Sequence, residues 1–123
     1  GNAANNNQKA NAASQAKYNV PTANINANLT QAEVQYDASN YKKSIGNQKW
    51  IALFGQGLEA FAEWRRLDYP QLAPAVAGAL NGKMPLRFIY PGTEQSLNPE
   101  GYQAAVANQG PDLLTTKLWF DVN

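Results

Sequence analysis

Two glutamates in this sequence are spaced so that they could act together in acid–base chemistry. Glu59 and Glu63 lie four residues apart in a stretch with helical periodicity. On a helix such residues share a face, with Cβ atoms about 5–6 Å apart. This separation overlaps that of the two carboxylates of a retaining glycosidase. The pair could also bind a hard cation, but Ca²⁺ takes about six to eight oxygen ligands and no loop here supplies them.

A basic pair beside these glutamates favours a simpler interpretation. Arg66 follows Glu63 by three residues, which is the spacing of an ion pair on a helix surface. We expect Arg65 and Arg66 to form internal bridges to Glu63, Asp68 or Glu94. An unpaired buried charge is costly, so an arginine that the fold buries must be paired. Catalysis by the two glutamates is therefore the minor alternative.

The residue types that the sequence lacks exclude several kinds of chemistry. It contains no cysteine and no histidine, which removes disulfides, thiolate metal sites and histidine general bases. It also contains no phosphate-binding loop or zinc motif, and we expect neither a metal nor another cofactor. The net charge of +1 gives no reason to expect nucleic acid as a partner. No apolar run approaches the ~20 residues of a membrane span.

Aromatic and uncharged polar residues are the part of the sequence best suited to contact a ligand. Charged residues make up 15% of the chain, against a usual ~25%, and asparagine and glutamine fill much of the difference. Sugar-binding surfaces combine aromatic faces with amide and carboxylate groups. The candidate aromatic residues are Tyr18, Tyr36, Tyr41, Tyr90, Tyr102 and Trp119. Their spacing leaves open which are exposed and which belong to the core.

Residues 48–67 have the pattern of one long amphipathic helix. Large apolar residues recur every three or four positions, the period of one helix face, which we predict to be packed. They are Trp50, Leu53, Phe54, Leu58, Phe61 and Trp64. Gly55 and Gly57 lie inside the predicted helix at a cost of about 1 kcal/mol each, and we expect another backbone to approach them closely. Pro70 ends the helix, because proline disfavours helical geometry at the residue before it.

Shorter elements are predicted on both sides of this helix. Asp37 is a plausible N-cap, and Asn98 with Pro99 marks a helix start. The other predicted helices are residues 8–17, residues 38–45, residues 72–80 with a left-handed stop at Asn81 and Gly82, and the helix from Pro99 to about Gly110. Gly46 either separates residues 38–45 from the long helix or bends one continuous helix. Residues 84–89 are expected to be extended and to form a loop.

The chain divides into a polar segment and a helical region. Residues 1–37 are rich in asparagine and alanine and contain few large apolar side chains. A free helix as short as the one predicted at residues 8–17 is marginal in water. We therefore expect residues 1–37 to be partly mobile and residues 38–123 to form the C-terminal helical region.

Three blocks of this C-terminal region resemble the signature of a known family. They are KWIALFGQGLEAFAEWRR at residues 49–66 followed by Tyr69-Pro70; Pro85, Arg87, Tyr90-Pro91, Glu94 and Asn98; and Asp112, Thr115-Thr116-Lys117 and Trp119-Phe120-Asp121. Their order and spacing resemble the C-terminal portion of the SusD-like, RagB-related outer-membrane nutrient-binding lipoproteins of Bacteroidetes. In this sequence Asp68 stands where members often have glycine, and Phe61 and Phe120 stand where many have tryptophan.

The resemblance implies a mainly α fold: the C-terminal fragment of a SusD-like, tetratricopeptide-containing helical fold with long irregular loops. It also implies binding of starch, another glycan or another nutrient, without catalysis, beside a SusC-like TonB-dependent outer-membrane transporter. Members are several times longer and carry a lipid anchor, so the remainder of a longer chain is an implied partner and the cell-surface face of the outer membrane is the implied location. The family's ligand-binding aromatics lie mostly outside this stretch, so the resemblance assigns no ligand-binding residue.

Two alternatives stay open at the level of the sequence. The chain could be a structural piece that contacts the transporter and has no ligand site of its own. It could also be a glycan-active hydrolase that uses Glu59 and Glu63. Turnover of a glycan would distinguish the second alternative, and ligand binding would distinguish the first.

Overall fold

The computed structural model describes residues 2–121, and this part of the chain is mainly helical, as predicted. The helices are Ala3–Lys17 (α1), Thr22–Leu29 (α2), Tyr41–Ala52 (α3), Gly57–Leu67 (α4), Gly92–Leu97 (α5) and Pro99–Gln109 (α6), with a 3₁₀ turn at Ala38–Asn40. No strand occurs within the described residues. Residues 2–71 and residues 72–121 form two compact units, the first containing α1 to α4 and the second α5 and α6.

The polar N-terminal segment forms two helices. α1 begins after Asn2, whose side-chain oxygen accepts the backbone N–H of Asn5 at 3.2 Å. It packs against α2 and α3, and Gln15 Nε2 donates to Asn28 Oδ1 at 2.9 Å. These contacts explain why α1 is longer than the predicted residues 8–17, because tertiary packing stabilises a helix that is marginal alone. The mobility of residues 1–37 stays a prediction.

The single helix predicted over residues 48–67 is wrong, because the chain forms two helices that pack against each other. The break falls at residues 53–56, where Gly55 adopts φ +83°, a conformation that glycine reaches without steric cost. The packed face is therefore shorter than predicted. On α4 the buried residues are Ala60, Trp64 and Leu67, whereas Phe54 and Leu58 are 81% and 77% exposed.

The close backbone approach predicted at Gly55 and Gly57 occurs at Gly46 instead. A Cβ added to either predicted glycine would meet nothing within 4 Å. At Gly46 it would lie 2.6 Å from Tyr69 Cβ and 3.0 Å from Tyr69 O. Gly46 is buried within α3, which continues through it, so Gly46 does not separate two helices, the first of the two possibilities that the sequence left open. Gly46 therefore brings α3 into contact with the chain that follows α4.

The predicted end of the helix near Pro70 is confirmed. Asp68 adopts a left-handed conformation with φ 58°, and its N–H donates to Trp64 O at 2.8 Å. The indole Nε1 of Trp64 then donates to Pro70 O at 3.0 Å, and the Tyr69–Pro70 peptide is cis. The two hydrogen bonds made by Trp64 therefore hold the turn at residues 68–70 against the buried face of α4.

In the second unit, the helix predicted for residues 72–80 is wrong, because this segment is irregular. Val76 is fully exposed, so the segment lacks the packing that a short Ala-rich helix needs. The left-handed stop is present at Asn81 and Gly82, with φ 48° and 75°. The extended loop at residues 84–89 is confirmed, and the N–H groups of Leu86 and Arg87 donate to Leu114 O at 2.7 and 3.2 Å.

The cap predicted for the last helix is confirmed. Asn98 Oδ1 accepts the N–H of Gly101 at 3.3 Å, and Pro99 occupies the first turn of α6. Gly110, at φ 90°, ends the helix.

α5 was not predicted from the sequence. The cap at Asp37 is likewise present, and its Oδ1 accepts the N–H of Ser39 at 2.8 Å.

Candidate functional site

The two glutamates that could do chemistry have different surroundings in the first unit. Glu63 forms ion pairs with Lys49 of α3 at 2.6 Å and with Arg66 at 2.5 Å. The predicted Glu63–Arg66 pair is thus confirmed, and the Lys49 pair links α3 to α4. Arg65 lies with its guanidinium carbon 4.2 Å from the centroid of the Phe61 ring. Glu59 is exposed.

The electrostatics of this cluster do not suit Glu63 as a general acid. Burial raises the pKa of Glu63, but hydrogen bonds from Lys49 and Arg66 and their positive charges outweigh it, so that the pKa is lowered from 4.5. A glycosidase needs one carboxyl that stays protonated near neutral pH to act as a general acid. Glu63 is instead held ionised, and its ion pairs with Lys49 and Arg66 form a network that links α3 to α4.

We expect Glu63→Gln to lower the stability of the protein near neutral pH and to have little effect in acid. Because the folded-state pKa of Glu63 is depressed, its contribution is present above the unfolded-state pKa and is lost as pH falls through the folded value. Its partners Lys49 and Arg66 have side chains 41% and 50% exposed, so the cost should be about 1 kcal/mol or less.

Urea unfolding of the wild type and Glu63→Gln, from neutral pH to about pH 3, measures this effect. Glu59→Gln, on the same helix and exposed, is the matched control and should change little. A stability difference for Glu63→Gln that stays constant over this pH range would contradict the ion-pair assignment.

A buried polar cluster in the second unit was not predicted. Arg87 and Asp112 form an ion pair of 3.2 Å, and both side chains are only 5% exposed. Asp112 also accepts the N–H of Tyr90 at 3.1 Å and the hydroxyl of Tyr102 at 3.4 Å. Arg87 lies 4.9 Å from the centroid of the Tyr90 ring. Arg87 of the second sequence block and Asp112 of the third therefore form a structural pair. The one sequence signal for it was Arg87 itself, a single charged residue within the apolar residues 84–89.

The six candidate aromatic residues divide by exposure. Tyr90 and Tyr102 are half-buried and contact each other edge to face at 6.0 Å, so the buried cluster accounts for them. Tyr36 is half-buried. Tyr18, Tyr41 and Trp119 are 49%, 48% and 84% exposed. These last three are the exposed members of the six, and a ligand can reach their rings most easily.

An amide-lined groove lies between α1 and α3. Its volume is about 420 Å³, and its lining includes Asn6, Asn7, Ala10, Asn11, Gln48 and Ala52. A second, smaller groove of about 270 Å³ also has Asn11 and Gln48 in its lining, together with Ser14 and Gln15 farther along α1. We call the two together the amide groove. The sequence contained one signal for it, since Asn7 and Asn11 are four residues apart and share a helix face.

Two amide groups of this groove lack hydrogen-bond partners. The side-chain nitrogens of Asn7 and Asn11 are buried and have no partner in the part of the chain that the structure describes. Asn11 as a whole is 7% exposed. A buried donor without an acceptor costs about 1–3 kcal/mol, so these two positions are polar groups that the described structure leaves unsatisfied.

The described residues form neither a metal-binding cluster nor a membrane span. Across residues 2–121, no three or more acidic side chains gather where they could hold a metal ion. None of the helices described in that range is long and apolar enough to cross a membrane.

Comparison with known proteins establishes the class. A SusD-like family model, described as starch-binding associating with outer membrane, matches residues 1–91. This match includes the Asn-rich segment as well as the block at residues 49–66. The chain therefore belongs to the SusD-like family.

Solved structures resemble the chain over most or all of its length. A SusD-like protein of Bacteroidetes AC2a is 27% identical, with a TM-score of 0.86 over 100% of this chain and 26% of its own. A chitin-binding protein is 34% identical, with a TM-score of 0.73 over 85% of this chain and 23% of its own. The chain thus spans about a quarter of the length of these structures. No curated protein matches it.

Proposed function

We propose that this chain is part of a protein that binds a glycan at the bacterial cell surface and performs no catalysis. Its membership of the SusD-like family carries this proposal. The 34% identity to a chitin-binding protein and the family description as starch-binding favour a polysaccharide-derived ligand. Uncharged amides in a groove and exposed rings at Tyr18, Tyr41 and Trp119 are suitable chemistry for such a ligand.

The proposal includes a cellular setting. The protein delivers its ligand to a SusC-like TonB-dependent transporter in the outer membrane, as part of a longer lipid-anchored chain whose remaining segments complete the fold. The description of the family as associating with outer membrane supports this location. The fraction of the solved structures that the chain covers, 23% and 26%, supports a longer chain.

A second candidate function is a scaffold that contacts the transporter and binds no ligand itself. The corner between α3 and α4 favours it, because Ile51, Phe54 and Leu58 are 65%, 81% and 77% exposed. Exposed apolar side chains that cluster in this way are typical of protein–protein contacts. For the hydrolase alternative, the ion pairs of Glu63 with Lys49 and Arg66 leave that residue unsuited to the role of general acid.

Binding to a panel of neutral oligosaccharides tests the proposal. We expect isothermal titration calorimetry to detect at least one member, with a dissociation constant of about 1 mM or lower. The double variant Glu59→Gln/Glu63→Gln should bind with the same affinity, and neither protein should release reducing sugar. Turnover by the wild type that the double variant loses would establish the hydrolase instead. Absence of binding to every glycan would leave the scaffold function.

A further inference from the structure

We propose that Asn81 is a site of spontaneous deamidation, at which the side-chain amide is converted to a mixture of aspartate and isoaspartate. In a sequence rich in asparagine, Asn81 is the one asparagine followed directly by glycine. The residue after an asparagine supplies the backbone nitrogen that attacks the side-chain amide, and glycine has no Cβ to hinder this approach. The site is independent of the ligand that the protein binds.

The reaction takes place within the chain and consumes water. The backbone nitrogen of Gly82 loses its proton and forms a bond to Cγ of Asn81, while the bond from Cγ to Nδ2 breaks and ammonia leaves. The product is a five-membered succinimide ring. Water then opens the ring at one of its two carbonyls. Breaking the bond from the ring nitrogen to Cγ gives aspartate, and breaking its bond to the backbone carbonyl carbon gives isoaspartate.

The surroundings of Asn81 leave the reacting groups accessible. Asn81 and Gly82 are exposed and lie outside any helix, in the irregular segment that precedes α5. Both have a left-handed backbone, with φ of 48° and 75°. Within residues 2–121, the N–H of Gly82 has no hydrogen-bond acceptor. The attacking nitrogen is therefore not held by a hydrogen bond that the reaction would have to break.

Asn19 is a matched comparison within the same chain. It is exposed, follows the end of α1 and has φ 58°, so its exposure and backbone conformation are those of Asn81. Its next residue is Val20, which is branched at Cβ and whose N–H donates to Gln15 O at 3.3 Å. The two asparagines therefore differ in the features that control the attacking nitrogen.

The two products have different effects on the turn. Either one adds a carboxylate and lowers the net charge by one unit from +1. Aspartate tolerates the left-handed conformation as asparagine does, so it should keep the turn. Isoaspartate adds a carbon to the main chain. It should break the hydrogen bond from the N–H of Lys83 to Leu80 O, now 3.1 Å, beside a cavity of about 350 Å³ that includes Leu80 and Met84 in its lining.

Incubation of the 123-residue chain in mildly alkaline buffer, followed by trypsin digestion and mass spectrometry, tests the site. The tryptic peptide of residues 67–83 contains Asn81 and no other asparagine, and its mass should rise as NH₂ is replaced by OH. We expect Asn81 to react about tenfold faster than Asn19 or more, which corresponds to ~1.4 kcal/mol in the activation free energy. Equal rates at the two asparagines would overturn the proposal.

Two substitutions exchange the residues that follow these asparagines. Gly82→Ala adds a Cβ that meets no other atom within 4 Å, and it should slow the reaction of Asn81 about tenfold. Val20→Gly should raise the rate at Asn19 by a similar factor. Unchanged rates in both variants would contradict the role of the following residue.

Hydrogen exchange at the Lys83 amide distinguishes the products. Its N–H donates to Leu80 O, so the isoaspartate form should lose protection there, whereas Asn81→Asp should keep it. Equal protection in the isoaspartate form and in Asn81→Asp would contradict the expected effect on the turn.

Discussion

Replacing Gly46 with alanine is expected to destabilise the first unit by about 1–3 kcal/mol, the usual cost of forcing extra atoms into a packed site. The new Cβ would lie 2.6 Å from Tyr69 Cβ and 3.0 Å from a backbone oxygen of the same residue. Backbone atoms cannot turn away as a flexible side chain can, so α3 or the turn after α4 must shift. Urea unfolding followed by tryptophan fluorescence, to which the buried Trp64 contributes beside the exposed Trp50 and Trp119, measures the change.

The chain offers a matched control for this substitution. Gly57 lies at the start of α4, and a Cβ added there meets nothing within 4 Å. Gly57→Ala should therefore leave stability unchanged or raise it by up to about 1 kcal/mol, the difference in helix propensity. Equal effects of the two substitutions would show that helix propensity, and not the contact with Tyr69, decides the outcome.

Breaking the Arg87–Asp112 pair is expected to have the largest effect of any single substitution considered. Arg87→Met leaves a carboxylate that is 5% exposed without its counter-charge, and such losses cost about 3–5 kcal/mol. Hydrogen exchange at the Tyr90 amide reports this directly, because that N–H donates to Asp112 and should lose much of its protection.

Two further variants distinguish the effect of losing an ion pair from the effect of leaving a charge buried and unpaired. The double variant Arg87→Met/Asp112→Leu removes both charges and should recover part of the loss, because no buried charge is left unpaired. Arg66→Met breaks a pair whose arginine is 50% exposed and should cost about 1 kcal/mol or less. A cost below that level for Arg87→Met would mean that the pair is exposed to water in solution.

Local signals in the sequence predicted the helix ends well. The caps at Asp37 and Asn98 and the stop after Leu67 depend on residues within a few positions of each other, and all three are present. The periodicity of residues 48–67 was misleading, because apolar spacing carries no information about the backbone angle at Gly55. The alanine-rich residues 72–80 have helical propensity but no packing partner, and propensity alone does not hold so short a helix.

The candidate site was the least predictable part. Glu63 was expected to pair with Arg66, which lies three residues away, but its second partner Lys49 comes from α3. The amide groove was not predicted, because the asparagine-rich composition of residues 1–37 is typical of a mobile polar segment. Only the contact of α1 with α3 turns Asn7 and Asn11 from solvated residues into the lining of a cavity.

The sequence by itself therefore determined the mainly helical class, the helix caps and the residues that resemble the SusD-like family. The tertiary structure alone decided where α3 ends and α4 begins, why Gly46 must lack a side chain and which amides are buried. The physical reason is the range of the interactions. Caps and helix stops form between neighbours in the chain, whereas burial and ion pairing depend on segments that are distant in sequence and meet only when the helices pack.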